Sequence, residues 1–188
     1  MSKVETRFRG LMLVSVIVAV LEVAIGVLLT TYLDFSVKLA AVIIGTVILL
    51  YGMFYLIRYL YDGLGKKVFA IDLIIAVINI IIGAFTIFYE FSTVNHLGII
   101  FAIHLVSVAV EKGYFGLKLK KISDPAYPLV CTIAILLIVM GVIVSFNPFK
   151  DFLLTTKLIG AFMFGTGFFE GMICKLFFSK SETLLKMF

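Results

Sequence analysis

Of the 188 residues, 63% are hydrophobic and 14% charged, with a mean hydropathy of +1.21, whereas soluble domains are about half apolar and a quarter charged. No soluble fold hides that much apolar surface. The net charge of +5 comes from basic residues in short clusters between apolar stretches, which read as membrane-topology signals and exclude a nucleic-acid partner. Cys131 and Cys174 lie far apart in apolar segments, with no CxxC or Cys/His cluster. They read as small buried side chains, so no metal or cofactor is expected.

Crossing a hydrocarbon core of about 30 Å takes about 20 apolar residues in a helix. The first such stretch, Gly10 to Leu33, follows Lys3, Arg7 and Arg9. It imitates a signal peptide, but it is too long for a cleaved core, contains Glu22 and lacks a small-residue cleavage site, so an uncleaved anchor is expected. Five more follow: Val37 to Ile57, Val68 to Tyr89, Leu97 to Gly116, Tyr127 to Phe146 and Phe152 to Phe178. The last is long enough to tilt or emerge. The expected fold is all-α: a polytopic membrane protein with six transmembrane helices in one membrane domain over 1–188.

The connections alternate in charge. Lys3, Arg7 and Arg9, then Arg58, Lys66 and Lys67, then Lys112, Lys118, Lys120 and Lys121, and finally Lys175, Lys180 and Lys186 fall on one side, leaving Lys38, Lys150 and Lys157 for the other. The positive-inside rule then places both termini in the cytoplasm of a cell in whose plasma or inner membrane the chain sits.

The spans repeat. With Gly26, Gly83 and Gly141 in register, small residues recur at Ala19, Ala76 and Ala134; at Ala41, Gly98 and Thr156; at Gly45, Ala102 and Gly160; and at Gly52, Ala109 and Gly167. The copies are about 57 residues apart and predict three hairpins, over approximately 10–58, 68–116 and 127–178. Positions 3, 4 or 7 apart share a helix face, so these residues form stripes that let backbones approach, the main route to helix packing in lipid. The implied partners are the lipid bilayer and a proton or small-molecule ligand of unknown identity, and the stripes leave room for a homo-oligomer.

Tandem hairpins with Gly near the end of the first helix, a short outer turn and Gly in the second resemble the HdeD-like family of bacterial membrane proteins. The third copy matches best, with Gly141-Val-Ile-Val-Ser-Phe-Asn147-Pro148 followed by Gly160 and Gly167. The first two copies carry Asp34 and Glu90 near the turn, where that family often has proline. The resemblance implies a role in acid or envelope stress tolerance and brings no catalytic residues.

Ionisable groups in a bilayer cost about 2.5–3.5 kcal/mol each on insertion scales, so each is a functional candidate. Ser15, Ala19, Glu22 and Gly26 share one face of the first helix, and Asp72, Ala76, Asn79 and Gly83 repeat the pattern on the third. Glu22 lies about 12 residues, roughly 18 Å, into its helix, near the midplane. It fits either a proton relay or a neutral carboxyl hydrogen-bonded across a helix interface. Asp72 is expected to reach the interface or pair with Lys67. His104 shares a face with Glu111, opposite the small-residue stripe; a contact with Glu22 would make an acid sensor. Glu111 and Lys157 are expected to snorkel, and Glu170 to lie on the packing side.

These residues frame two functions. One is a non-enzymatic membrane protein of stress tolerance. The other is a small proton- or solute-conducting transporter or channel using Glu22, Asp72, Asn79 and His104. An enzyme is not expected: HExxH, GxSxG and paired aspartates are missing from the sequence, and Gly63-Leu-Gly65-Lys66-Lys67 lacks the first glycine and the Ser or Thr of a phosphate loop.

Overall fold

The computed structural model describes residues 3–31, 36–62, 70–89, 94–121, 123–146 and 151–179. The predicted turn positions Asp34, Glu90 and Asn147-Pro148, and the Gly63 to Lys67 connection, lie outside them. Among the described residues the chain forms helices α1 (Lys3–Thr31), α2 (Val37–Asp62), α3 (Ala70–Phe88), α4 (Val94–Lys121), α5 (Tyr127–Phe146) and α6 (Phe152–Ser179). Helices α2, α4 and α1 outrun their predicted spans at their charged ends, because hydropathy marks where a span leaves lipid and not where backbone hydrogen bonding stops.

Polar residues mark the boundaries. Ser36 Oγ accepts a hydrogen bond from Leu39 N at 3.2 Å, and Asp151 Oδ1 accepts one from Leu153 N at 2.7 Å, so α2 and α6 each open on a side-chain cap. Between α4 and α5 the chain turns through Ser123 at φ 56°. Asp124 Oδ1 then accepts from Ala126 N at 2.8 Å, and Pro128 sits in the first turn of α5, where a missing N–H is harmless.

Five of these helices are long and apolar enough to cross a membrane; the described apolar stretch of α1, Ser15–Thr31, is shorter. The bundle reverses the usual arrangement of a soluble protein. Val20, Ile81, Ile135, Phe88 and Phe146 are exposed, while Glu22, Asp72, His104, Glu111, Lys112 and Glu170 are buried. An apolar rim around a charged interior places the favourable surface toward acyl chains, and the chain is a membrane-embedded, multi-pass helical protein.

The closest helix packing joins α2 to α3, α4 to α5 and α1 to α6, while α1 and α2, α3 and α4, and α5 and α6 touch less. Glycine explains this preference. A Cβ on Gly83 would stand 2.8 Å from Leu49 Cα and 2.9 Å from Gly45 O, one on Gly160 3.0 Å from Gly26 O, and one on Gly141 3.3 Å from Ala102 O. A Cβ on Gly167 would stand 2.6 Å from Ala19 O, one on Gly52 3.0 Å from Ala76 O, and one on Gly98 2.9 Å from Val144 O. Ala41, Ala109, Ala134 and Thr156 are buried. Backbone-to-backbone contact of this kind gains dispersion along whole helices. The α1/α6 pair packs the first of the six helices against the last.

Helices α2, α4 and α6 meet at the centre through their side chains. Ile44, Phe101 and Ile159, then Ile48, Leu105 and Met163, belong to one buried apolar core. Toward the Arg58, Lys118 and Lys175 ends of the same helices, the core becomes polar.

Candidate functional site

On α2, Tyr51, Tyr55 and Arg58 are spaced by 4 and 3 residues and so share one face. Opposite them, α3 contributes Asp72 and Asn79, α4 contributes His104, Ser107, Glu111 and Lys112, and α6 contributes Thr166 and Glu170. These side chains form an ionic network and a neutral polar cluster.

The ionic network begins at Arg58. Its Nη2 donates to Asp72 Oδ1 at 2.6 Å and its Nε to Asp72 Oδ2 at 2.8 Å, the two-pronged geometry a guanidinium offers a carboxylate. The same guanidinium lies 3.4 Å from Glu111 Oε1 and 4.6 Å above the Tyr55 ring. Lys112 Nζ then bridges Glu111 Oε2 at 2.7 Å and Glu170 Oε1 at 2.6 Å. The Tyr51 hydroxyl donates toward Tyr55 Oη at 3.0 Å and Glu170 Oε1 at 3.4 Å. Charge is thus carried from α3 through α2 and α4 to α6 in direct contacts.

The neutral cluster lies deeper. Asn79 Nδ2 donates to Ile75 O at 2.8 Å and to Ser107 Oγ at 2.9 Å. Its Oδ1 faces His104 Nδ1 at 2.7 Å, which assigns the ring proton to Nδ1 from the amide's orientation. Ser107 Oγ donates to His104 O at 2.7 Å, and the Tyr51 ring meets His104 edge-on, with centroids 5.1 Å apart. Buried amide, hydroxyl and imidazole groups are therefore held between α3, α4 and α2, as a low-dielectric interior demands.

Glu22 is the exception. It is 1% exposed, packs on α6 where a Cβ on Gly167 would stand 2.9 Å from its own Cβ, and has Thr166 beside its carboxyl. Its Oε2 has no hydrogen-bond partner among the described residues. The charges it feels are those of Glu170 and Lys112. Counting Glu22, four buried carboxyls, Glu22, Asp72, Glu111 and Glu170, face two bases, Arg58 and Lys112. Neutrality inside the bundle therefore requires protons or a further cation.

Asp72 pairs with Arg58 on the closely packed α2; Lys67, the other expected partner, lies outside the described residues. Glu111 does not snorkel: it is buried, and the two bases beside it hold it there. His104 meets Asn79 and Tyr51, so in place of the contact with Glu22 that would have made an acid sensor it meets the residue at Glu22's own register position on α3. Lys157 is partly buried. Arg58, Lys112, Tyr51 and Tyr55 were missed as site residues because basic side chains near span ends read as topology signals. A usable signal existed: Tyr55, Lys112 and Glu170 are separated by 57 and 58 residues, the same offsets as Gly26, Gly83 and Gly141. Equivalent positions on three inward helices converge, which is why these three meet.

The short repeat of unknown function (DUF308) matches residues 17–88 and 132–185, more than half of the chain. The chain belongs to the DUF308 family. Neither a curated protein nor a solved structure matches it. Among the described residues of this DUF308 chain, no group of three or more His, Cys, Asp or Glu side chains is placed to hold a metal ion.

Proposed function

We propose that this DUF308 chain is a non-enzymatic protein of the plasma or inner membrane that works in acid or envelope stress tolerance, as HdeD-like proteins do, with both termini cytoplasmic and its helices laid out as three repeated hairpins. The observation that carries the reading is the buried ionic network. Arg58 and Lys112 are shared among Asp72, Glu111 and Glu170, so these acids are held by bases of the same bundle and not turned toward a substrate, with one negative charge left for a proton to offset. With the basic helix ends cytoplasmic, the network faces the compartment whose pH a stressed cell must defend. The layers of Ile44, Phe101 and Ile159 and of Ile48, Leu105 and Met163 separate it from the opposite face. An apolar barrier beside titratable groups suits response to protons on one side better than free passage through the bundle.

The test is survival of bacterial cells after an acid shock, with the wild-type chain or a Lys112→Met variant expressed to equal membrane levels. Protection by the wild type and its loss in the variant support the reading; equal survival with either chain and with an empty vector overturns it.

A second reading, proton or solute conduction through Glu22, Asp72, Asn79 and His104, draws on the unpartnered Glu22 carboxyl oxygen. Flux in proteoliposomes under an imposed acid gradient tests it. Flux that vanishes in Glu22→Gln favours conduction; flux unchanged after replacing Glu22, Asp72 and His104 together rules it out.

A further inference from the structure

Two bases of the network are taken up inside the bundle, Arg58 by Asp72 and Glu111 and Lys112 by Glu111 and Glu170. Further along α4 come Lys118, Lys120 and Lys121, and among the described residues no carboxylate pairs with any of them. Lys118 is half-buried, and Lys120 and Lys121 are exposed. The same helix carries an exposed apolar stripe, Ile103, Val106, Val110 and Leu117, whose spacings of 3, 4 and 7 residues put them on one face. Lys120 and Lys121 continue that face three and four residues beyond Leu117. Surface suited to acyl chains therefore ends where the ammonium groups begin.

The lysines stand on a packed platform. Leu119 and Val130 are buried, with Phe115, Ala126 and Tyr127 against them, apart from the main core, and a Cβ on Gly116 would stand 2.6 Å from Cys131 Sγ. Ser123 N donates to Lys120 O at 3.0 Å and Asp124 N to Leu119 O at 3.1 Å, so these last carbonyls of α4 are already bonded. Lys118 Nζ lies 4.6 Å above the Tyr114 ring, a cation–π contact. Asp124, the acid nearest Lys121 in sequence, is buried and accepts from Ala126 N. Three cations within four residues repel one another unless an anion is shared among them. We propose that this end of α4 docks an anionic phospholipid, its phosphate shared by Lys118, Lys120 and Lys121 and its acyl chains laid along the stripe that ends at Leu117. A lipid fits better than a soluble anion because the stripe continues the charged patch into the hydrocarbon. The site is independent of the stress role and of which face of the membrane it lies on.

Native mass spectrometry of the full chain in detergent, titrated with phosphatidylglycerol or with phosphatidylcholine, reads the affinity of the first bound lipid. A lysine near an anionic surface is worth about a fivefold change in binding, so wild type should hold phosphatidylglycerol tighter by at least that factor. A variant with Lys118→Gln, Lys120→Gln and Lys121→Gln together should bind the two lipids equally, whereas Lys38→Gln should keep the preference. Equal affinities in wild type, or a preference unchanged in the triple variant, overturn the site. Should the triple variant fail to fold, phosphatidylglycerol with a photoreactive headgroup is cross-linked to wild type. Attachment within 114–127 then supports the site, and attachment only elsewhere overturns it. Inorganic phosphate that displaces phosphatidylglycerol at constant ionic strength would assign the lysines to a soluble anion and overturn the lipid reading.

Discussion

Replacing Lys112 by Met keeps an unbranched side chain of similar reach and removes the ammonium that joins α4 to α6. Two short contacts disappear, to Glu111 Oε2 at 2.7 Å and Glu170 Oε1 at 2.6 Å. What remains is weaker: Arg58 at 3.4 Å from Glu111 and the Tyr51 hydroxyl at 3.4 Å from Glu170. Interhelical hydrogen bonds between neutral groups in membranes average about 0.6 kcal/mol, but removing one partner of a buried ion pair costs about 3–5 kcal/mol because a charge is left uncompensated. The second figure governs here, since the orphaned groups are carboxylates. Its lower end applies where proton uptake neutralises one of them. At about 2–4 °C per kcal/mol for a chain of this size, thermal unfolding in detergent should fall by roughly 6–20 °C. Adding Glu170→Gln removes one orphaned charge, so the double variant should recover about 1–3 kcal/mol relative to additivity. A Lys112→Met midpoint within about 2 °C of wild type, or strict additivity in the cycle, would refute the reasoning.

The other predictions follow the same geometry. Gly83→Ala places a methyl group against Leu49 and Gly45 backbone and should destabilise by about 1–3 kcal/mol; Gly171→Ala, with nothing within 4 Å, should be neutral or stabilise by up to about 1 kcal/mol, and paired melting curves compare the two. Asn79→Leu takes away the acceptor facing His104 Nδ1 and the donor to Ser107, costing about 1–3 kcal/mol for the unsatisfied imidazole; His104→Leu added to it should recover part of that loss in the same assay. Arg58→Lys keeps the charge but cannot fork onto both Asp72 oxygens, so it should unfold earlier than wild type, whereas an unchanged midpoint would show that charge alone suffices there.

Much of the fold was legible because lipid imposes a length and a polarity that composition reveals directly. Gly10 to Leu33 is a long apolar run wherever it is read, and α5 occupies the predicted Tyr127–Phe146 interval, since hydropathy and helix end together there. The small-residue columns were visible for a similar reason: Gly45 and Gly83 matter through what they lack, and a missing side chain is evident in one dimension. The ionic network was not. Arg58 and Lys112 have the composition of span ends, and the contacts of Arg58 with Asp72 and Glu111 and of Lys112 with Glu170 cross between helices at separations of 14, 53 and 58 residues.

By itself the sequence determined that this chain is helical, repetitive and embedded in a membrane, because those properties depend on local hydropathy, helix period and the spacing of small residues. Only the tertiary structure decided that α1 closes on α6, that Lys112 and Glu170 pair, and that Glu22 packs against Gly167 while His104 meets Asn79. Those outcomes depend on which helices touch, and backbone contact at glycine selects the pairs. A charge has no partner until its neighbours are chosen, so the chemistry of the buried acids and bases is settled by packing.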